Sequence, residues 1–421
     1  MKKKIIIGVV IVIILTITLS IVGVIILNQK KVTPQKPTKK PTSYNESNYH
    51  LNLIKTVNST QEDNYLISPY SIEIALSMLK EGANNHTKEE IEKVISSREI
   101  KDISIKDRIE VANAIFVKDN YKNSINQSFE TTMKNKYQSE VLYDKFTTPN
   151  VINNWVKEKT HKMIDKILDE MSSEFVLGIA NALAIDVEWL SSFECNNTTE
   201  ETFTKENQEE MKVEMMHQSY KDDASYFETD NAKGIILPYK SYEEDNHLEF
   251  IGILPNQDIN SFIEGLTIEE LEAIDQNKED ATKDLKIILS LPRFTYDFTL
   301  NGFTNVLRTM GIKDAFDEDL ADFTNIITRE EMNKQDINNL FVSTAIHKTH
   351  IDLNEKGTKA AAVTYFGLDY ATGIIEKSKE IKIKFNQPFI YMIRDYKTKE
   401  LLFFGVVKEP NEWKKTTCKE S

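Results

Sequence analysis

The longest uninterrupted part of this sequence begins near residue 49, and its length limits how the chain can fold. We call this part the body. No linker, internal repeat or low-complexity tract interrupts it as far as about residue 410. Helical and strand patterns occur along it without the regular alternation that a parallel α/β sheet requires. We therefore predict one large α+β domain, and the 40% hydrophobic content of the chain is enough to fill its core.

Two helix starts can be read near the beginning of this body. Ser68 followed by Pro69 has the pattern of an N-cap with proline at the first helical position. Apolar residues then recur at helical spacing, at Ile72, Leu76 and Leu79. Thr87 and Glu90 have the spacing of a capping box, which predicts that a second helix starts there. That helix would turn inward Ile91, Val94 and Ile95.

Several later stretches have the composition and apolar patterning of β-strands. They are LGIANALAI from Leu177, DLKIILSLPRF from Asp284, NLFVSTAIHKTHIDL from Asn339, EIKIKFNQPFIYMI, and ELLFFGVV. The domain is thus expected to contain extensive sheet.

Enzymatic and nucleic-acid functions find little support. A formal net charge of −14 repels phosphate backbones, so no nucleic-acid partner is predicted. The sequence has no GxSxG, P-loop, HExxH or CxxC motif. His347 and His350 would point to opposite faces of a strand and could not share a metal ion. We predict neither enzyme activity nor a cofactor, although scattered Ser, His and Asp residues could still converge in an unrecognised hydrolase.

The two cysteines, Cys195 and Cys418, lie far apart in the sequence. Two such residues exclude a zinc cluster and a disulfide framework. One bridge between them is possible, but the sequence favours two unrelated thiols.

Residues 1–27 predict a membrane anchor. MKKK is followed by 23 uncharged residues, Ile5 to Leu27, and a helix of that length spans roughly 34 Å. A buried core helix would show a polar face, and a cleavable signal peptide would have a shorter apolar region with a small-residue cleavage site. We therefore favour an uncleaved anchor, with a cleaved signal peptide as the alternative.

The remaining boundaries follow from composition. Residues 28–48 are rich in Lys, Thr and Pro and cannot bury a core, so they are predicted to be an extended tether. The body occupies residues 49–410, and residues 411–421 form a C-terminal tail. We expect a membrane-anchored protein with the body outside the cell, or a secreted one if the signal is cleaved.

The stretch NEKGTKAAAVTYFG, residues 354–367, fits neither a helix nor a turn. Its small residues lie on one side of a period-two pattern that begins with Thr358, Ala360, Ala362 and Thr364. Lys359 falls on the opposite side and would stay in solvent. The pattern is typical of a strand that inserts into an already formed sheet, where only small side chains fit the interior.

Eleven short segments of the body occur in a characteristic order. They are NYLISPYSIEIALSMLKEGA, VANAIFV, INNWVKEKTHKMI, NALAIDVEW, VEMMHQ, LPYK, LSLPRF, LRTMGIKDAFDEDLADFTNI, HKTHIDLNEKGTKAAAVT, FNQPFIYMIRD and LLFFGVV. Each is weak alone, but their order and spacing are highly specific. On these segments the chain from about Tyr49 to Pro410 resembles the serpin family.

The resemblance implies a body of three β-sheets and about nine helices, with an exposed reactive loop at about residues 355–376. It also implies a monomeric suicide inhibitor of serine proteases. The protease cuts the loop and forms an acyl-enzyme, and the freed strand inserts into the main sheet and distorts the protease. In such proteins the strain stored in the uncleaved fold is released when the loop adds to the sheet as a new strand.

The resemblance also assigns residues. The hinge of the loop would comprise Glu355, Gly357, Thr358, Ala360, Ala361, Ala362 and Thr364. Positions that control the parting of the main-sheet strands would be Ser68, Ser71, Asn181 and His347, with Trp189 under the entry point of the loop. These are structural gates, and each could equally be a satisfied core residue, because buried polar groups need partners in any case.

The resemblance also implies the bait residue, which in the family pattern lies fourteen positions after the residue that matches Gly357. The count reaches Ala371, so the predicted scissile bond joins Ala371 and Thr372. A small side chain suits the shallow pocket of elastase-like or subtilisin-like proteases, whereas a shift by one residue to Tyr370 would suit a chymotrypsin-like pocket. A non-inhibitory serpin that acts as a binding or chaperone module is the alternative function.

Overall fold

The structure is a computed structural model that describes residues 9–10, 49–95, 100, 102–243, 247–282, 284–358 and 379–414. These residues contain nine α-helices, in agreement with the number expected. The helices are α1 (Tyr49–Asn58), α2 (Pro69–Gly82), α3 (Asn85–Val94), α4 (Gln127–Tyr137), α5 (Asn150–Lys159), α6 (Ile259–Gly265), α7 (Ile268–Gln276), α8 (Phe303–Met310) and α9 (Arg329–Lys334).

The same residues form the β-strands. The strands are β1 (Val9–Val10), β2 (Tyr65–Ile67), β3 (Ile109–Lys118), β4 (Glu140–Asp144), β5 (Leu177–Ile185), β6 (Val187–Glu188), β7 (Thr198–Thr204), β8 (Glu210–Tyr220), β9 (Ser225–Glu228), β10 (Ala232–Pro238), β11 (Leu248–Pro255), β12 (Lys278–Asp280), β13 (Leu285–Pro292), β14 (Phe294–Thr299), β15 (Val342–Thr344), β16 (Lys348–Asn354), β17 (Gly357–Thr358), β18 (Lys379–Lys384), β19 (Phe389–Asp395) and β20 (Leu401–Val407).

Three sheets organise these strands, together with the short pair β1–β15. A seven-stranded sheet has the order β12-β9-β10-β11-β19-β20-β2, and a four-stranded sheet has the order β18-β13-β8-β7. The main sheet consists of two hydrogen-bonded sets, β4-β3-β5 and β6-β17-β16-β14. Only Asp186 separates β5 from β6, so the two sets share one nearly continuous strand.

Helix α2 begins where its sequence predicts. Ser68 is the extended N-cap, its hydroxyl oxygen accepts a hydrogen bond from the backbone N–H of Ser71 at 3.4 Å, and Pro69 opens the helix. The predicted apolar positions are fully buried: Ile72, Leu76 and Leu79. The helix packs against β5 and β20, which places its N-terminus beside the main sheet.

Helix α3 corrects the second predicted start. It begins at Asn85, and the side chain of Asn84 caps it, because its Oδ1 accepts from the N–H of Asn85 at 3.0 Å. Thr87, the predicted cap, instead accepts a hydrogen bond from the N–H of Asp322 at 2.9 Å. The carboxylate of Glu90 likewise turns to another segment and accepts from two backbone amides there. Tertiary partners thus take the two side chains that a capping box would pair.

The stretch from Asn339 was predicted as a single strand and forms two, β15 and β16. The interruption falls at residues 345–347, where the side chain of His347 turns fully into the interior. Its carbonyl oxygen accepts from the N–H of Leu300 at 2.9 Å. The other predicted stretches are confirmed, since they contain β5, β13, β18 with β19, and β20.

Two apolar clusters hold the layers together. The larger one fills the interior around β19 and β20, whose residues are all buried. The smaller one lies under α5, where Trp155 packs edge-on against Phe116 with ring centroids 5.6 Å apart. Ala180 and Ala182 of β5 belong to this second cluster. The main sheet is therefore covered by α5 on one face and by the larger core on the other.

The predicted membrane anchor contributes only Val9–Val10 to the described residues. Most of residues 1–27, like the tether at 28–48, lies outside the described residues. Val9–Val10 form a strand that pairs in parallel with Val342–Thr344. Among the helices that the structure describes, none is both long and apolar enough to cross a membrane.

The cysteine preference is also corrected. Cys195 is disulfide-bonded, so it is not one of two unrelated thiols. Cys418, the only other cysteine in the sequence, lies outside the described residues. The described part of the C-terminal tail runs beside β8, where the N–H of Trp413 donates to the carbonyl of Lys212 at 2.7 Å.

Candidate functional site

The candidate site is a slot in the main sheet between β5 and the β15–β16 segment. On one side β5 pairs along its whole length with β3. On the other side, within the described ranges, no hydrogen-bonded ladder joins β5 to β15 or β16. Strand β1 lies at the lower end of the slot, where it pairs with β15 and contacts β5. A strand that entered between these elements would find ladder partners on both sides.

The upper end of the slot already holds the start of the predicted hinge. Gly357 and Thr358 form β17, which pairs antiparallel with β6 on one side and with β16 on the other. Thr358 lies opposite Val187 and Leu353 and is only 3% exposed. The alternating pattern predicted that this side chain faces inward, and it does. Two residues of the predicted reactive loop thus form a strand of the main sheet.

Glycine is required at position 357. Its φ of +157° lies in a region that other residues rarely adopt. A Cβ atom there would lie 2.1 Å from the carbonyl oxygen of Val187 and 2.7 Å from the Cα of Glu188. A side chain at this position would therefore separate β17 from β6.

Trp189 lies directly under the hinge, as the resemblance implied. Its indole Nε1–H donates to the carbonyl of Asn354 at 2.9 Å, and its backbone N–H donates to the carbonyl of Lys356 at 2.8 Å. Its ring stacks on Tyr239 with centroids 4.6 Å apart and planes 9° from parallel. Trp189 therefore fixes the turn that leads from β16 into β17.

Glu355 anchors the same turn from the other side. Its carboxylate accepts a hydrogen bond from the hydroxyl of Thr198 at 2.8 Å. Arg293 lies 3.9 Å from this carboxylate and equally far from that of Glu214. The N–H of Phe193 donates to the backbone carbonyl of Glu355 at 2.8 Å. These contacts tie the hinge to the four-stranded sheet.

The residues predicted to control strand parting come together at the N-terminus of α2. The backbone N–H of Ser68 donates to Nε2 of His347 at 3.2 Å. The hydroxyl of Ser71 donates to Oδ1 of Asn181 at 2.8 Å, and the amide of Asn181 donates to Oδ1 of Asn113 at 2.7 Å. This chain of contacts connects α2 to both borders of the slot, at β5 and between β15 and β16.

His347 is neutral in this arrangement. Nε2 must be unprotonated because it accepts the hydrogen bond from Ser68. Complete burial lowers the pKa of His347 to about 3. The other ring nitrogen, Nδ1, is buried and has no hydrogen-bond partner among the described residues. A proton added to Nε2 would break the contact between α2 and this border of the slot.

The two histidines have different partners, because Nε2 of His347 accepts from Ser68 whereas Nδ1 of His350 contacts the carboxylate of Asp297 at 3.2 Å. Two groups elsewhere have donor sets that could hold a metal ion: His50, Glu73 and Glu400, and His86, Glu90 and Asp314. In the second group the protein already uses the carboxylate of Glu90 for two backbone hydrogen bonds. No residue of the predicted site belongs to either group.

The remaining predicted positions lie outside the described residues. They are the hinge residues Ala360, Ala361, Ala362 and Thr364, and the bait residues Tyr370, Ala371 and Thr372. The described chain resumes at β18, which pairs in parallel with β13. The described chain before residue 359 thus ends in the main sheet, and the described chain after residue 378 begins in the four-stranded sheet.

The site residues that were not assigned from the sequence include Tyr239 and Arg293. Both lie in segments that carried the resemblance, LPYK and LSLPRF, but no local pattern marks either side chain as a hinge contact. They reach the hinge only because β10 and the start of β14 pass beneath it in the folded chain. The fold, rather than sequence spacing, reveals them.

Comparison with known proteins shows the family to which this chain is similar. A sequence profile described as "Serpin (serine protease inhibitor)" matches residues 44–410. An uncharacterised serpin-like protein of Methanosarcina acetivorans is 30% identical over 84% of this chain and 83% of its own length. The leukocyte elastase inhibitor of Xenopus laevis is 27% identical over 86% of this chain and 98% of its own length.

The crystal structure of the thermophilic serpin tengpin in its native state superposes with a TM-score of 0.72. It is 32% identical in sequence, and the match covers 90% of this chain and 96% of tengpin. The chain belongs to the serpin family.

Proposed function

We propose that this serpin inhibits serine proteases as a suicide substrate. The protease serine would attack the carbonyl of the bait residue Ala371, and the amide bond to Thr372 would break. The nitrogen of Thr372 would leave with a proton, and an ester would join Ala371 to the protease. The freed segment would then enter the slot before water hydrolyses that ester.

The observation that carries this proposal is the position of Thr358. It is paired with Val187 on one side and with Leu353 on the other, at the mouth of a slot with an unpaired border. Continuing the same strand needs no new direction of the chain, because each further residue adds to ladders that β17 has already begun. Thr358 thus supports insertion along β5 and β16.

The slot supplies the driving force. Every residue of β5 is buried, yet its backbone has a ladder on one side only among the described strands. Each ladder hydrogen bond contributes on the order of 1 kcal/mol, so a fully inserted strand would gain several to about fifteen. An insertion of about fifteen residues at roughly 3.3 Å each would carry the attached protease some 50 Å. Full insertion would also displace Val9–Val10 from the lower end of the slot.

The small bait residue favours elastase-like or subtilisin-like targets. Ala371 would fit a shallow pocket, whereas cleavage after Tyr370 would direct the inhibitor to chymotrypsin-like enzymes. The name of the Xenopus relative supports the first choice, since it is described as an elastase inhibitor. Such targets fit a body outside the cell, either released after cleavage of a signal peptide or anchored through residues 5–27. Anchoring would require Val9–Val10 to leave their pairing with β15.

The test uses the purified full-length chain with elastase, subtilisin and chymotrypsin in turn. We expect a complex that survives denaturing electrophoresis with at least one of them. Because that fragment contains Cys418, the complex is first reduced and denatured, and mass spectrometry of the C-terminal fragment should then give Thr372 as its first residue, or Ala371 if the bond after Tyr370 is cut. Cleavage without a stable complex across the panel would contradict inhibition and indicate a binding module.

A matched pair of variants tests the insertion step itself. Ala360→Arg places a charge on the face that enters the interior, whereas Ala361→Arg places the same charge on the outer face. We expect the first variant to be cleaved as an ordinary substrate and the second to retain the stable complex. Equal behaviour of the two variants would contradict the assigned face.

A further inference from the structure

The hydroxyl groups of Tyr239 and Thr358 form a buried contact that no sequence pattern marks. The two oxygen atoms are 2.6 Å apart. Tyr239 is 3% exposed, as is Thr358, and the aromatic ring of Tyr239 is held by its stacking on Trp189. We call this pair the hinge latch.

The latch distinguishes two positions of the hinge. With Thr358 in the sheet, each hydroxyl has a buried partner. If β17 leaves the sheet, Thr358 gains water, whereas the phenol of Tyr239 stays in the interior. Among the described residues that phenol has no other hydrogen-bond partner, and an unsatisfied buried hydroxyl is unfavourable. The free energy of the buried phenol therefore favours the paired hinge.

Other contacts at the same point are independent of the hydroxyls. Gly357 fits against Val187 only because it lacks a Cβ atom, and Trp189 holds the carbonyl of Lys356. These contacts shape the turn at residues 355–356. The latch acts at Thr358, the last residue of the predicted hinge that the structure describes.

We propose that Tyr239 is a positioning residue that holds Thr358 in the main sheet before cleavage, so that loop insertion starts from a formed first pair. This role rests on the proposed inhibitory function. Nucleation is the unfavourable step in forming regular structure, because several dihedral angles are fixed before bonds compensate. With β17 in place, insertion proceeds by adding residues to existing ladders, and it competes better with hydrolysis of the acyl-enzyme.

Hydrogen exchange of the intact full-length chain tests the latch without any protease. The readout is exchange in peptides that cover Glu355–Thr358 and Val187–Trp189. Tyr239→Phe removes the hydroxyl and keeps the stacked ring, and we expect about fivefold faster exchange there, the factor that one net hydrogen bond supplies. The control is Tyr220→Phe, because Tyr220 also has a buried hydroxyl, without a partner among the described residues.

A double variant separates the latch from a general loss of packing. Adding Thr358→Val to Tyr239→Phe removes both hydroxyls, so neither is left unsatisfied, and exchange should return toward the wild-type rate. Thr358→Ser keeps the hydroxyl and should leave exchange unchanged. The proposal is overturned if Tyr239→Phe exchanges no faster than Tyr220→Phe, or if the double variant exchanges as fast as Tyr239→Phe alone.

The second readout is the partition between complex and cleaved inhibitor. Tyr239→Phe should raise the cleaved fraction relative to Tyr220→Phe with whichever protease forms a stable complex. An equal fraction in the two variants would overturn the kinetic part of the proposal. If no protease forms a complex, the proposed function fails, while the exchange experiment still decides whether the latch exists.

Discussion

Acidification to about pH 4.5 should lower the free energy of unfolding of this serpin, because the folded state keeps His347 unprotonated. The folded state keeps the ring neutral, because Nε2 accepts the N–H of Ser68 and burial lowers the pKa to about 3. In the unfolded chain the pKa is the ordinary value of about 6.5. Between these values the unfolded state binds a proton that the folded state does not, so stability falls as the pH falls.

The magnitude follows from the pKa difference. Each pH unit between the two pKa values changes the free energy of unfolding by about 1.4 kcal/mol. From about pH 6.5 to about pH 4.5 the contribution of His347 should therefore fall by roughly 2.5 kcal/mol. Above about pH 7 the residue contributes no pH dependence, because both states are then neutral.

The assay is urea unfolding of wild type and His347→Gln at about pH 7 and about pH 4.5. Glutamine can accept the N–H of Ser68 but does not titrate, and the other histidines contribute equally to both proteins. The difference in unfolding free energy between the two proteins should shift by roughly 2.5 kcal/mol in favour of the variant at the lower pH. A shift below about 0.5 kcal/mol would refute the assignment of a neutral, buried imidazole.

Two further substitutions test the hinge and the β5 border of the slot. Gly357→Ala should expel β17, because its Cβ would lie 2.1 Å from the carbonyl oxygen of Val187, and it should convert inhibitor into substrate; a normal yield of stable complex would contradict the hinge geometry. Asn181→Ala should lower the free energy of unfolding by about 1–3 kcal/mol, because it leaves the buried hydroxyl of Ser71 without its acceptor. Urea unfolding measures this loss, and a change within about 0.5 kcal/mol would show that the contact is dispensable.

The sequence predicted best those elements whose boundaries depend on residues within the same element. The start of α2 depends on Ser68, Pro69 and a regular apolar stripe, and all of these act within one helix. The start of α3 was misplaced because Thr87 and Glu90 bond to residues more than 200 positions away. A local capping pattern cannot reveal that competition.

The residues of the site also fall into those that a local pattern predicts and those that only the folded chain brings together. The alternation of small residues predicted that Thr358 faces inward, because strand geometry alone fixes that direction. The cluster of Ser68, Ser71, Asn181 and His347 came from family resemblance, since only the folded chain brings those residues together. Tyr239 had no signal of its own, because its importance comes from a single hydroxyl contact across the fold.

The disulfide of Cys195 was also beyond the reach of the sequence. Spacing along the chain does not report the distance between two sulfur atoms in the folded protein. The split of the predicted strand into β15 and β16 has a similar cause, because the ring of His347 leaves the strand for a partner on α2.

Thermal unfolding of the intact and the loop-cleaved full-length chain tests the central claim most directly. If the nicked segment enters the slot and completes ladders on both sides, the cleaved protein should melt higher by roughly 5–20 °C, given about 1 kcal/mol for each new ladder bond. A cleaved protein that melts at or below the temperature of the intact one would show that the slot does not accept the loop.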